Sequence, residues 1–97
     1  MARIIYKYQL DFVDKQPLML PRWSKFLFAD KQMDKITLWF EVDKTEICHK
    51  ATIYIVGTGQ EIPEQSRYLS TVILRDFLWH IYSAVENQIR IPQYAAN

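Results

Sequence analysis

The chain has 97 residues, enough for one domain, and its 49% apolar and 14% aromatic content is too greasy for a disordered segment. Twelve basic and eleven acidic side chains leave a formal charge of +1, with the signs interspersed. Proteins built on phosphate contacts carry a basic excess, so that balance argues against nucleic acid as the main ligand.

Arg3 to Leu10 reads as a strand, because Ile4, Tyr6, Tyr8 and Leu10 recur at period two. Asp14-Lys15-Gln16-Pro17 breaks it. Leu18-Met19-Leu20 is a short second strand stopped by Pro21. Lys25 to Ala29 is a third, and Asp30 to Lys35 reads as a polar turn without glycine. The cleanest alternation follows: Ile36, Leu38, Phe40 and Val42 on one face, Thr37, Trp39, Glu41 and Asp43 on the other. Asp43 to Lys50 is charged and reads as a loop. Ala51 to Val56 is bulky on both faces, as a central strand would be, and Gly57-Thr58-Gly59 turns the chain.

Tyr68 to Leu74 is the sixth strand. Arg75-Asp76 makes a hairpin tip, although it lacks the favoured Asn-Gly chemistry. Phe77 to Tyr82 then reads in two ways. As a strand it is the seventh. As a helix it would place Leu74, Phe77, Leu78, Ile81, Val85 and Ile89 on one stripe, capped by Asp76. The strand is the preferred reading. The expectation is an all-β, mainly antiparallel fold: a small sandwich or rolled barrel of six to seven strands, with a C-terminal helix as the alternative. Residues 1–86 form the compact domain and 87–97 a tail anchored by Ile89, Ile91 and Tyr94. Aromatic rings are expected to supply much of the core.

Few residues suggest chemistry. Gly57-Thr58-Gly59 follows a strand, but the third glycine of a dinucleotide loop and the Gly-Lys of a triphosphate loop are both missing. His49 and His80 are the only imidazoles, and Cys48-His49 has the wrong spacing for zinc. No metal, cofactor or enzymatic activity is expected. An enzyme would need His80 paired with a distant carboxylate, or two of Glu61, Glu64 and Asp76 held at a working separation. The lone Cys48 excludes an internal disulfide and fits a reducing compartment. No apolar run approaches the roughly 20 residues of a bilayer span, and nothing reads as a signal peptide. A cytoplasmic location without membrane partners is expected.

Binding is the better prospect. Trp and Arg dominate interface hot spots, so Arg22, Trp23 and Trp39 are the candidate contacts, together with Lys31 and Lys35 of the polar turn. Trp39 falls on the polar face of its strand and is expected at the surface.

Several segments together resemble a family of small proteins encoded by tailed bacteriophages and prophages, a domain of unknown function. They are Ile5-Tyr6-Lys7-Tyr8, Leu18-Met19-Leu20-Pro21, Ile55 to Pro63, Tyr68-Leu69-Ser70-Thr71-Val72 and Trp79-His80-Ile81-Tyr82. The resemblance spans about residues 4 to 83 and is most specific at Gly57-Thr58-Gly59 with Ile62-Pro63, and at Trp79-His80. The sequence departs from the family pattern over Arg22 to Lys35 and in the longer tail. The resemblance brings no catalytic residues. It implies expression in a bacterial cytoplasm during infection. The leading expectation is therefore a phage accessory protein that binds a host bacterial protein, with inhibition of a defence system as one form. A small nucleic-acid- or nucleotide-binding β domain is the alternative, and a structural or self-associating phage protein the second alternative. A homodimer through an edge strand or the tail is also envisaged.

Overall fold

Each stretch of alternating side chains becomes a strand. The structure, a computed structural model, describes residues 2–86 and 88–92. Seven strands run through it: β1 (Arg3–Gln9), β2 (Lys15–Pro21), β3 (Lys25–Gln32), β4 (Lys35–Asp43), β5 (Cys48–Gly57), β6 (Ser66–Leu74) and β7 (Phe77–Ala84). They form a three-stranded sheet in the order β1-β4-β3 and a four-stranded sheet in the order β2-β5-β7-β6. Every pairing between these strands is antiparallel. No helix occurs among the described residues, and Phe77–Ala84 is a strand. The helical stripe fails physically as well: Leu74, Ile81 and Ile89 are buried, while Phe77, Leu78 and Val85 face solvent.

The two sheets close on one core. β4 contributes Ile36, Leu38, Phe40 and Val42, all facing inward; β5 adds Ala51, Ile53 and Ile55; β6 and β7 add Val72, Leu74 and Ile81. Expectation and structure part over the rings. Among the described aromatic residues only Phe26 and Phe40 are fully buried, and aliphatic side chains fill the rest of the core. The other rings lie at or near the surface. Two of the buried polar side chains are answered close by in the chain. Ser24 donates to the Pro21 carbonyl at 2.6 Å, and Gln16 clamps the backbone of Asp11 in both directions, at 3.0 and 2.7 Å.

Three expected boundaries move, each for a backbone reason. Lys15 to Pro17 was expected to break the chain but begins β2. The Asp14 carbonyl accepts from Ile55 N–H and Arg22 N–H donates to the Ile47 carbonyl, so even-numbered residues of β2 turn their backbone groups toward β5. Pro17 and Pro21 fall on the odd, outward side, where a missing N–H costs no ladder bond. Asp30 to Lys35 was expected as a turn, yet only Met33 and Asp34 turn, since β3 runs to Gln32 and β4 starts at Lys35. Likewise, only residues 44–47 separate β4 from β5.

Both tight hairpins use the same strained geometry. Met33 and Asp34 have φ of 53° and 60°, and Arg75 and Asp76 have 54° and 68°, the paired positive values of a type I′ turn. Asp tolerates that region, whereas Met and Arg are disfavoured there. Met33 is 83% exposed, so its side chain compensates little. Met33→Asn is therefore expected to stabilise the protein by about 0.5–1 kcal/mol, seen as a rise of a few degrees in Tm.

At the other end of β4, the Asp43 carboxylate accepts from the Thr45 hydroxyl at 2.6 Å and the Thr45 N–H at 2.9 Å. Those bonds, the hydroxyl's first, hold its pKa below the usual carboxylate value. A depressed folded-state pKa stabilises above the unfolded value and ceases to do so as pH falls through the folded one. Thr45→Ala is expected to move the Asp43 titration, followed by carboxyl NMR, back up toward its ordinary position.

Candidate functional site

The outward face of the four-stranded sheet gathers residues from its three inner-to-edge strands. Tyr54 of β5 lies opposite Tyr82 of β7, and Tyr82 lies opposite Tyr68 of β6, so three phenols form one row across the sheet. The Tyr68 and Tyr82 rings meet edge to face at 5.6 Å. The next row holds Val56, His80 and Thr71; beyond it, Leu78 opposes Ile73. Ile73 is 64% exposed and Leu78 47%. No charged side chain interrupts these rows between β5 and β6; Lys15 of β2 flanks the first at Tyr54.

Hydroxyls and the imidazole link the rows. Tyr68 Oη lies 2.8 Å from Thr71 Oγ1, which is 3.0 Å from His80 Nδ1. On the other side of the ring, His80 Nε2 is 3.1 Å from Thr58 Oγ1. Both imidazole nitrogens thus face hydroxyls that donate or accept, and the chain suits either tautomer. Among the described residues, the ring nitrogens of His80 meet threonine hydroxyls and no carboxylate.

The Gly57–Pro63 loop overhangs this face and makes a cleft of about 270 Å³ lined by Thr58, Gln60, Ile62, His80 and Tyr82. Two local features hold the loop. Gly57 N–H donates to Gln60 Oε1 at 2.7 Å, and the Gly57 carbonyl accepts from Gln60 N–H at 3.1 Å. Gly59 sits at φ +92°, where side chains are strained. The segments singled out in the sequence, Gly57-Thr58-Gly59 with Ile62, Tyr68 to Val72, and His80 with Tyr82, therefore converge on one surface.

The expected contacts are dispersed by comparison. Arg22 and Trp23 occupy the corner between β2 and β3; Lys31 and Lys35 sit near the far end of β3. Eight strand residues at roughly 3.3 Å each separate the two ends. Lys31 opposes Ile36 and Lys35 opposes Gln32, so the two lysines lie on opposite faces of their hairpin. Trp23 is half exposed at φ 63°, its backbone pinned by Gln88 and Arg90. Trp39 lies half-buried on the outer face of the three-stranded sheet. A bulge between Phe26 and Phe28 turns Phe28 outward, and its ring lies 5.8 Å from the Trp39 indole. The tail residues Gln88 to Ile91 lie against the domain: Arg90 bridges β3 at Lys25 and Ile89 is buried, whereas Tyr94 falls outside the described residues.

Among the described residues no three of His, Cys, Asp and Glu come together as metal ligands, and no helix is long and apolar enough to cross a membrane. No curated protein matches the chain, and no solved structure does. Residues 1–91 match the family described as a domain of unknown function (DUF7352), and the chain belongs to that family.

Proposed function

We propose that this member of an uncharacterised family acts by binding a protein, with the Tyr54–Tyr82–Tyr68 row and the Ile73–Leu78 pair at the centre of the contact. One observation carries the reading: a solvent-facing sheet centre built from phenols and aliphatic groups, without charge, beside a loop held in shape by its own hydrogen bonds. Interface centres are depleted in charge and enriched in tyrosine, and rigid rings bring contact area at small cost in entropy. The Tyr68–Thr71–His80–Thr58 chain supplies donors and acceptors that fix orientation. The setting we propose is that of a tailed-phage or prophage accessory protein acting on a host protein in the bacterial cytoplasm, with inhibition of a defence effector as its narrower form. The sequence resemblance at Ile5–Tyr8 and Trp79–Tyr82 supports that setting.

Affinity capture from infected bacteria with tagged protein tests this reading. The wild type is expected to retain a host protein in stoichiometric amount, and Leu78→Asp to retain roughly tenfold less or worse. Lys35→Glu and Trp23→Ala, on other surfaces, are expected to retain it fully. Capture that Leu78→Asp leaves unchanged refutes the site. Recovery of nuclease-sensitive material that washes off as salt rises points instead to nucleic acid.

A further inference from the structure

Four strand edges end the two sheets, and three of them are blunted. Edges invite pairing with other chains, and proteins block them with proline, bulges or a covering segment. On β2, Pro17 and Pro21 remove two of the outward N–H donors. On β3, the Phe26/Phe28 bulge breaks the line, and the segment around Arg90 covers the start: Phe26 N–H donates to the Arg90 carbonyl and Arg90 N–H to the Ser24 carbonyl, both at 2.8 Å. On β6, a bulge lies between Tyr68 and Ser70.

Among the described residues β1 has no proline, bulge or covering segment, and its two charged side chains, the other common edge device, reach back over their own sheet, Arg3 to Glu41 and Lys7 to Gln32. Its seven residues pair with β4 in unbroken register. The Lys44 N–H donates to the Ala2 carbonyl and the Leu10 N–H to the Ile36 carbonyl, so even-numbered residues of β1 turn their backbone toward β4. Arg3, Ile5, Lys7 and Gln9 therefore turn theirs outward. Apolar groups flank this free edge on both faces, with Ile5 59% exposed on one and Tyr6 40% on the other.

We infer that β1 is where two copies of this chain pair, antiparallel, about a two-fold axis at Tyr6. In that register Arg3 opposes the second copy's Gln9 and Ile5 opposes its Lys7. All four outward residues of each strand are then engaged. Shifting by two positions would oppose Arg3 to Lys7, or Lys7 to Lys7 near the axis region, and leave outward groups unmatched. The register with the most hydrogen bonds is thus also the one that sets no cation against a cation. The existing contacts suit it: Arg3 is already tied to Glu41 at 2.9 Å and Lys7 to Gln32 at 2.6 Å. The two Tyr6 side chains meet as a non-hydrogen-bonded pair, and the two three-stranded sheets continue as one six-stranded sheet. The four-stranded face around His80 stays free, so the pairing is independent of the partner site.

Sedimentation equilibrium across a concentration series tests it. The wild type is expected to reach twice the 11.6 kDa chain mass. Ile5→Lys sets a lysine against Lys7 of the second copy at two symmetric places, and is expected to weaken the dimer by roughly tenfold or more. Adding Lys7→Glu to Ile5→Lys turns both contacts attractive and is expected to restore it. Ile5 points to solvent, so the circular-dichroism spectrum and melting curve check that the monomer fold is kept. In a Cys48→Ser background, Tyr6→Cys is expected to form an intermolecular disulfide on mild oxidation, since Cα atoms of such a pair lie about 4.5 Å apart. A wild type that stays monomeric at every concentration, or a double variant that fails to recover, overturns the inference.

Discussion

Phe40→Ala is expected to destabilise the protein by about 3–5 kcal/mol, the largest effect of any single truncation in the core. The ring has no exposed surface and sits in the central strand of its sheet, where β4 is flanked by both β1 and β3. It meets Tyr8 edge to face at 5.8 Å and Phe26 at 5.6 Å, so the substitution strips two further rings of their partner. Flanking strands hold the backbone in register on both sides, which limits collapse into the void. For a domain whose total stability falls in the range of about 5–15 kcal/mol, that loss is a large fraction of the whole. Urea titration should show the midpoint fall with the slope m unchanged, the sign of altered stability rather than an altered denatured state. A loss below about 1 kcal/mol would mean that the sandwich closes around a different centre.

The reason Phe40 stands out in the sequence is the reason the fold does. Ile36, Leu38, Phe40 and Val42 alternate with polar residues, and local alternation is enough to specify a half-buried strand. The same logic reached the seven strands and their antiparallel class. It misplaced ends where backbone direction mattered: Pro17 reads as a breaker until one knows that its nitrogen faces away from β5. It misjudged the rings because an alternating pattern says which residues share a face but not which face is covered. Tyr54, Tyr68 and Tyr82 come from three strands that are neighbours only through the order β5-β7-β6. Their row is a product of long-range pairing, invisible in any one segment. Arg22, Trp23, Lys31, Lys35 and Trp39 stand out by residue type and by local position in a turn or on a polar face, and neither says which of them the fold brings together. Glycines at 57 and 59 followed by Gln60 mark a turn in the sequence, and in the fold that turn is one wall of the cleft beside His80.

Gly57→Val joins the fold to that cleft, and is expected to cost about 2–3 kcal/mol and to lower partner affinity in the same variant. A Cβ at position 57 would stand 3.1 Å from Trp79 Cζ3 and 3.2 Å from Gln60 Oε1. Neither neighbour yields freely. The Trp79 indole N–H donates to the Leu74 carbonyl at 3.1 Å, and its ring packs edge to face on Phe12 at 4.8 Å. If Gln60 swings away instead, it abandons its bond to Gly57 N–H, and with it the loop geometry that places Thr58 against His80 Nε2. Valine adds two methyl groups to a contact already tight for one. For a domain of this size each kcal/mol shifts the midpoint by roughly 4–8 °C, so the melting temperature should drop by more than 8 °C. Gly57→Ala, with the Cβ alone, should lie between wild type and valine. Gly59→Ala separates the causes: its Cβ meets nothing within 4 Å, so its penalty comes from φ +92° only. Binding measured well below each variant's melting temperature then distinguishes a reshaped cleft from a fraction of unfolded protein. If Gly57→Val melts like the wild type, Trp79 and Gln60 do not hold the loop, and the cleft is softer than its hydrogen bonds imply.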